Sequence, residues 1–166
     1  ANLDLLQRIE DPSMSADTLE TISRAIQHRR QEGSVLLSCV GELQDRDALA
    51  QAADRLLDLQ GINSTLVYGV KEGTIYASAR ARGTDIDLGE VLREAFGQIG
   101  SAGGHADMAG AQIPVGILTE GAAEHERGGV ITEVVRERFL EALGIAPDYA
   151  AAFVYSDIIG ARDDLG

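Results

Sequence analysis

The residues of this chain best suited to bind a ligand lie in its most glycine-dense stretch, residues 97–110, which carries five glycines and His105. The adjacent Gly103 and Gly104 allow a sharp turn that presents successive N–H groups to one point, which makes a concave anion site. His105 at its rim can add a directed hydrogen bond, or a positive charge when protonated. The spacing matches neither the dinucleotide fingerprint nor a phosphate loop, so a flexible connection with an incidental histidine is the competing interpretation.

A second candidate is the run Ser-Ala-Arg-Ala-Arg at residues 78–82. In a β-strand, successive side chains alternate between faces, so Ser78, Arg80 and Arg82 would share one face. The planar guanidinium group of arginine matches two phosphate oxygens at once, which makes such a face suitable for phosphate binding. Because the chain is rich in carboxylates, a solvated sheet face with surface ion pairs is the alternative.

The charge of the chain restricts which phosphate ligands are plausible. It has 27 acidic and 14 basic side chains, a formal net charge of −13, and Lys71 is its single lysine. Such a surface repels a phosphate backbone at long range, which argues against a general DNA-coating protein. The carboxylates are spread along the chain rather than collected in an acidic tail. We therefore favour a protein of a high-salt cytoplasm, where molar salt screens the repulsion.

Localisation signals are absent from the sequence. We find no apolar stretch of membrane-spanning length and no signal-peptide pattern, and we expect a cytoplasmic protein that does not bind membranes. The single cysteine, Cys39, lies in an apolar run and is predicted to be a buried, inert thiol. The chain begins at Ala1 inside a helical pattern, which suggests a fragment of a longer protein.

Hydrophobic periodicity predicts the elements that position these candidate residues. The predicted helices cover residues 17–30, 47–60, 87–99 and 130–144, and the predicted strands cover residues 34–40, 64–70, 74–82 and 111–118. Residues 71–73 form a hairpin turn, and Pro114 indicates an edge strand or a bulge. The order predicts an α/β fold: a mixed parallel and antiparallel sheet of about four to five strands with packed helices, preceded by a linker helix.

The linker helix has a start signal and an apolar face. Asp17, followed three residues later by Glu20, resembles a capping arrangement. Leu19, Ile22 and Ile26 recur at helical spacing, so we expect them to form the face that packs against the rest of the protein.

Together, the glycine stretch and the arginine strand resemble a known family. Residues 103–110 look like the GGHxxAAG signature of the DHH-associated domain, the C-terminal half of DHH phosphoesterases, and residues 78–81 resemble its serine-x-arginine-serine strand. Met108 stands where the family usually has alanine, and Ala81 replaces the second serine. The likeness is to archaeal members, and the acidity suggests a haloarchaeal one. The resemblance implies three regions: an interdomain linker at 1–32, the DHH-associated domain at 33–145 and a C-terminal tail at 146–166.

This resemblance implies a division of labour in a RecJ-like phosphoesterase. An N-terminal DHH domain of the same protein would hold two divalent metals, Mn²⁺ or Mg²⁺, whose bound hydroxide attacks phosphorus. The chain described here would hold no cofactor and would bind the substrate, a short oligonucleotide or a small nucleotide. The binding residues implied are Ser78, Arg80, Arg82, Gly103, Gly104 and His105. Arg80 and His105 would contact phosphate, and the two glycines would allow close approach of the backbone.

The spacing of the histidines independently indicates that the metal site lies outside this chain. His28, His105 and His125 are not spaced with other ligands as a two-metal site requires. We therefore predict that this chain alone does not hydrolyse phosphodiesters.

Two other function classes stay open from the sequence. The first is an RNA-binding module, since residues 107–109 also resemble part of the motif in the C-terminal domain of alanyl-tRNA synthetase. The second is a regulatory or dimerisation module with a structural glycine loop, and a homodimer stays open. His105 directly after the glycine pair favours the phosphoesterase class.

Overall fold

Residues 14–145 are described by a computed structural model. The helices are α1 (Ala16–Gln27), α2 (Ala48–Leu57), α3 (Leu88–Phe96), α4 (Val115–Thr119) and α5 (Arg127–Ala142), with a 3-10 turn at Glu124–Glu126. The strands are β1 (Arg30–Glu32), β2 (Val35–Glu42), β3 (Ser64–Lys71), β4 (Thr74–Ala81), β5 (Ser101–Gly104) and β6 (Met108–Pro114). Residues 1–13 of the predicted linker and the whole predicted tail, 146–166, lie outside these residues.

The strands form one mixed sheet, which confirms the predicted fold class. Its order is β1-β2-β3-β4-β6-β5. The pair β2–β3 is parallel and the other four pairs are antiparallel. The sheet has six strands rather than four to five because β1 is only three residues long and β5 lies within the glycine stretch.

Helices pack on both faces of this sheet, which explains the nearly continuous apolar runs in the central strands. On β2, Leu36 belongs to the core under α1 and α2, whereas its neighbour Leu37 belongs to the core under α3 and α5. On β3, Val67 likewise belongs to the core under α1 and α2, and Leu66 belongs to the core under α3 and α5. The α3–α5 side is the larger core and contains the fully buried Phe139.

Helix α1 differs from the prediction in its cap and in its buried face. The N-cap residue is Ser15, whose Oγ accepts a hydrogen bond from Thr18 N at 3.1 Å. The buried face contains Thr18, Thr21, Ile22 and Ala25. Threonine can be buried here because its hydroxyl bonds within the helix, as Thr21 Oγ1 does to the Asp17 carbonyl at 2.9 Å.

The two larger side chains that we expected on this face, Leu19 and Ile26, are instead 61% and 42% exposed. The small and hydroxylated residues lie against α2 and β2, and Ser38 Oγ donates to the Ala25 carbonyl across this contact at 2.7 Å. Apolar spacing therefore placed Ile22 correctly but not Leu19 and Ile26.

The β3–β4 hairpin confirms the predicted turn, with Glu72 at φ +50° and Gly73 at φ +77°. The strand predicted at residues 111–118 is wrong at both ends. It begins earlier, at Met108, and ends at Pro114, which caps the short helix α4. Proline closes the strand because its fixed φ suits a position just before a helical turn. Within residues 14–145, no helix has the length and apolar character needed to cross a bilayer.

Candidate functional site

One face of the sheet is only partly covered by helices. Helix α2 contacts β3 and β4. The core beneath α1 and α2 contains no residue of β5 or β6. The outer part of this face therefore remains open among the described residues, and it forms the floor of a cleft.

The cleft has a volume of about 450 Å³ and lies between the start of α2 and the open strands. This size falls within the roughly 300–1,000 Å³ typical of small-molecule sites. Its lining residues are Arg46, Asp47, Leu49, Ala50, Tyr76, Ala77, Ser78, Ser101, Ala102, Gly103, Gly110, Ala111 and Gln112.

Strand register arranges the floor in rows that cross three strands. The middle row pairs Ser78 with Gly110, and Gly110 with Gly103. No side chain larger than a hydroxymethyl group rises from this row, so a ligand can approach the backbone closely. A second row, two residues further along the strands, lies about 7 Å away.

That second row is polar and aromatic. It pairs Tyr76 with Gln112, and Gln112 with Ser101. On the opposite side of the middle row, Arg80 pairs with Met108. The floor therefore has a flat, hydrogen-bonding end and a cationic end, separated by small residues.

The glycine stretch is not the flexible connection that the sequence left open as the competing interpretation. Residues 101–104 form β5, and residues 108–114 form β6, so the stretch folds into an antiparallel hairpin at the sheet edge. Small residues allow α3 to pack very close to this hairpin. A Cβ atom on Gly89 of α3 would lie 2.5 Å from the carbonyl oxygen of Gly104. Glycine is therefore selected here largely for close packing.

Of the predicted binding residues, Ser78 and Gly103 line the cleft. Arg80 lies beside it with a side chain that is only 15% exposed, and its Nε is 3.0 Å from Asp54 Oδ1. Because Asp54 is 63% exposed, water screens this ion pair and a phosphate could compete for the guanidinium group. Arg82 lies beyond the end of β4 and is paired with Asp58 at 3.5 Å, outside the cleft lining.

Gly104 and His105 have structural contacts that the motif did not reveal. Gly104 has φ +146°, and a Cβ atom there would lie 2.6 Å from the Cα of Ala109. The backbone of His105 bonds to both β6 and α3. Its N–H donates to the Met108 carbonyl at 2.7 Å, and its carbonyl accepts from Gly89 N at 2.9 Å. The His105 residue is exposed and is not part of the cleft lining.

Sequence reasoning missed the residues that close the cleft. Arg46 lies over the ring of Tyr76, with its guanidinium carbon 5.4 Å from the ring centroid. Among residues 14–145, Arg46 makes no ion pair. The alternation that places Ser78 on the open face also places Tyr76 there, so Tyr76 was detectable. Arg46 gave no such signal because it reaches the cleft only through tertiary packing.

Arg93 on α3 is a further cation near the floor. Its Nη1 lies 3.4 Å from the position that a Cβ atom on Gly103 would occupy. Among the described residues it also makes no ion pair. Although the chain is strongly acidic, three arginines therefore surround the floor, namely Arg46, Arg80 and Arg93.

A second cleft, of about 320 Å³, lies on the other face between β2 and α5. The pKa of Tyr68, which lines this cleft, is raised mainly by burial, and the neighbouring Cys39 raises it further. The Tyr68 hydroxyl donates to the Thr132 carbonyl at 2.7 Å. Cys39 lines this cleft and is half-buried rather than buried as predicted.

The arginine in the wall of this second cleft is already neutralised. Burial lowers the pKa of Arg136, but its hydrogen bond with Glu32 and the charges of Glu32 and Glu133 outweigh that effect and raise it. Arg30 pairs with Glu133 at 2.8 Å. The two arginines and two glutamates balance, so this cleft has no excess charge for an ionic ligand.

Potential metal ligands do not gather anywhere in residues 14–145. No group of three His, Cys, Asp or Glu side chains there is arranged to hold a metal ion. The side chain of His125, for example, is 83% exposed, and its Nε2 lies 3.7 Å from Glu126 Oε1. A two-metal site has no counterpart among these residues.

Comparison with protein families gives one match that spans most of the described fold. Residues 32–127 match the sequence profile described as the DHHA1 domain. The match includes the open strands and both predicted motifs.

Individual proteins that are similar to this chain are longer than it is. An uncharacterized protein of Methanocaldococcus jannaschii is 38% identical over 142 residues, which is 85% of this chain but 29% of that protein. An exopolyphosphatase-related protein from Bacteroides fragilis has a similar fold, with a TM-score of 0.56 and 12% identity over 84% of this chain and 40% of its own. RecJ from Thermus thermophilus, in complex with Mg²⁺, has a TM-score of 0.47 at 17% identity, over 73% of this chain and 17% of its own. The chain thus spans 40% or less of the length of each of these proteins.

Proposed function

The chain belongs to the DHHA1 domain family, and from this premise we propose that it is the substrate-binding part of a metal-dependent DHH phosphoesterase. Its ligand is a short oligonucleotide or a small nucleotide. The metals, Mn²⁺ or Mg²⁺, and the hydrolytic chemistry belong to a DHH domain outside the residues described here. This chain contributes affinity and orientation of the substrate.

The observation that carries this proposal is the cleft floor. The middle row, Ser78–Gly110–Gly103, leaves backbone accessible, and Arg80 lies at one end of it. Charge-assisted hydrogen bonds from arginine to phosphate are roughly twice as strong as neutral ones. A phosphate at this end would replace Asp54 as the partner of Arg80.

The net charge of −13 is compatible with such a site. Long-range attraction by a diffuse basic surface is largely screened in molar salt, whereas short contacts at one cleft persist better. Asp47 offsets the charge of Arg46 in the lining, and Arg93, which lies beside Gly103 and makes no ion pair among the described residues, adds a positive charge next to the floor. This arrangement favours a short phosphorylated ligand over a long nucleic acid.

The experiment is calorimetric titration of the chain with a phosphorylated diadenylate (pApA), with the unphosphorylated dinucleotide as the comparison. We expect pApA to bind more tightly, and Arg80→Ala to weaken it about 10- to 100-fold, since a hydrogen bond to a charged group contributes about 1.5–3 kcal/mol. Arg55→Ala is the matched control, because it removes the same charge from an exposed position on α2 outside the cleft lining.

Two results would overturn the proposal. Equal affinity of Arg80→Ala and the unchanged protein for pApA would remove the phosphate site. Tight binding of tRNA with no binding of pApA would assign the chain to the RNA-binding class instead.

A further inference from the structure

The end of the cleft away from Arg80 has different chemistry from a phosphate site. It contains the row Tyr76–Gln112–Ser101, which supplies one aromatic ring, one carboxamide and one hydroxyl. These groups bind flat, neutral, hydrogen-bonding ligands. Nothing in the phosphate-binding role of the cleft uses them.

The charges at this end of the cleft also favour a neutral ligand group. Arg46 and Asp47 both line it, so their charges cancel to first order. A second phosphate there would approach the Asp47 carboxylate, which is unfavourable. A neutral group would not.

Arg46 and Tyr76 also form a stacking platform. The guanidinium carbon lies 5.4 Å from the ring centroid, within cation–π distance. Nucleobases stack on both aromatic rings and arginine guanidinium planes in protein–RNA sites. Because both residues line the cleft, a flat ligand bound there would stack on this pair.

The spacing of the rows fits one nucleotide laid along β4. Arg80 and Tyr76 alternate with Ala79 and Ala77 and share one face, with Ser78 between them. A phosphate at Arg80 therefore places the attached sugar over the glycine floor and the base toward Tyr76. The side-chain-free floor is what allows the sugar to lie low enough.

From these observations we infer that the Tyr76–Gln112–Ser101 end of the cleft is a nucleobase site with preference for adenine. The base stacks on the Arg46–Tyr76 pair, and the carboxamide of Gln112 bonds its edge. We place the N6–N7 edge of the base against Gln112: on this edge adenine offers a donor and an acceptor side by side, which match the carbonyl and amino groups of glutamine, whereas guanine offers two acceptors, O6 and N7. This inference rests on the proposed function, because the phosphate sets the position of the base.

The test separates the base from the phosphate by titrating the chain with ribose 5-phosphate, adenosine monophosphate (AMP) and guanosine monophosphate (GMP). Ribose 5-phosphate measures the phosphate site alone. We expect AMP to bind at least about fivefold more tightly than ribose 5-phosphate, the lower end for stacking of one base. We also expect AMP to bind more tightly than GMP.

Variants assign each effect to its residue. Tyr76→Leu should reduce AMP to the affinity of ribose 5-phosphate, and Tyr76→Phe should restore stacking. Gln112→Ala should keep the stacking but remove the preference for AMP over GMP. Gln51→Ala, an exposed change on α2 outside the cleft lining, is the matched control. A thermal melt of each variant confirms that it is folded.

Three outcomes decide the matter. Equal binding of AMP and ribose 5-phosphate would refute the nucleobase site and leave the phosphate site intact. Equal AMP binding by Tyr76→Leu, Gln112→Ala and the unchanged chain would also refute it, since the base would then bind elsewhere. If neither AMP nor ribose 5-phosphate binds, both the inference and the proposed function fail.

Discussion

The two adjacent glycines of the motif have different environments, and substitution of each with alanine should separate folding from binding. Gly104 has φ +146°, and its Cβ atom would lie 2.6 Å from both the Cα of Ala109 and the carbonyl oxygen of Met108. Both atoms belong to the backbone of the paired strand. Gly103 is not in a positive-φ conformation, and its Cβ atom would meet only the flexible end of Arg93, at 3.4 Å.

The expected cost of Gly104→Ala follows from these contacts. An L-residue in this backbone region costs of order 1–3 kcal/mol, and relief of the overlap by moving a strand costs about 1–3 kcal/mol more. A loss of about 3 kcal/mol lowers Tm by roughly 6–12 °C in a chain of this size. Gly103→Ala should change stability by less than about 0.5 kcal/mol. It should nevertheless weaken pApA binding, because a methyl group would rise from the cleft floor.

The measurements are urea unfolding followed by circular dichroism, thermal melts, and pApA titration of the folded variants. Gly103→Ala and Gly104→Ala are each other's controls, since they make the same chemical change at neighbouring positions. The reasoning is refuted if Gly104→Ala is as stable as the unchanged chain, or if Gly103→Ala is equally destabilised.

Three further predictions concern ionisation, salt and activity. Burial raises the pKa of Tyr68 above its ordinary value of 10, so the hydroxyl loses its proton at lower pH in the unfolded chain than in the folded one. The free energy of unfolding should therefore fall as pH rises above about 10, by up to about 1.4 kcal/mol per pH unit. Urea unfolding at several pH values should show this decline, and the decline should be weaker in Tyr68→Phe. An equal decline in Tyr68→Phe would assign the effect to other groups. The net charge of −13 predicts a higher Tm in molar KCl than in dilute buffer, and equal values would remove the proposal of adaptation to high salt. The chain incubated with Mn²⁺ and a short oligoribonucleotide should give no turnover by chromatography, and hydrolysis would place catalytic groups within it.

Local signals in the sequence were sufficient for the main elements of the fold. The alternation of residues 74–81 and the turn glycine Gly73 predicted the β3–β4 hairpin, because both act over a few neighbouring residues. Local signals were not sufficient for α1, because Leu19 and Ile26 have the spacing of a buried face but are exposed. The side that packs was decided by the close fit of small residues such as Ala25 against the sheet.

The sequence by itself determined the α/β class, the acidic charge and the match to the DHHA1 domain family. It could not determine that the glycine stretch pairs as a hairpin, that Gly103 lines a cleft while Gly104 relieves a backbone contact, or that Arg46 lies on Tyr76. Those features depend on strand register and helix docking between residues distant in sequence. Local patterns specify which face of an element is apolar, but only the assembled sheet decides which polar residues meet across it.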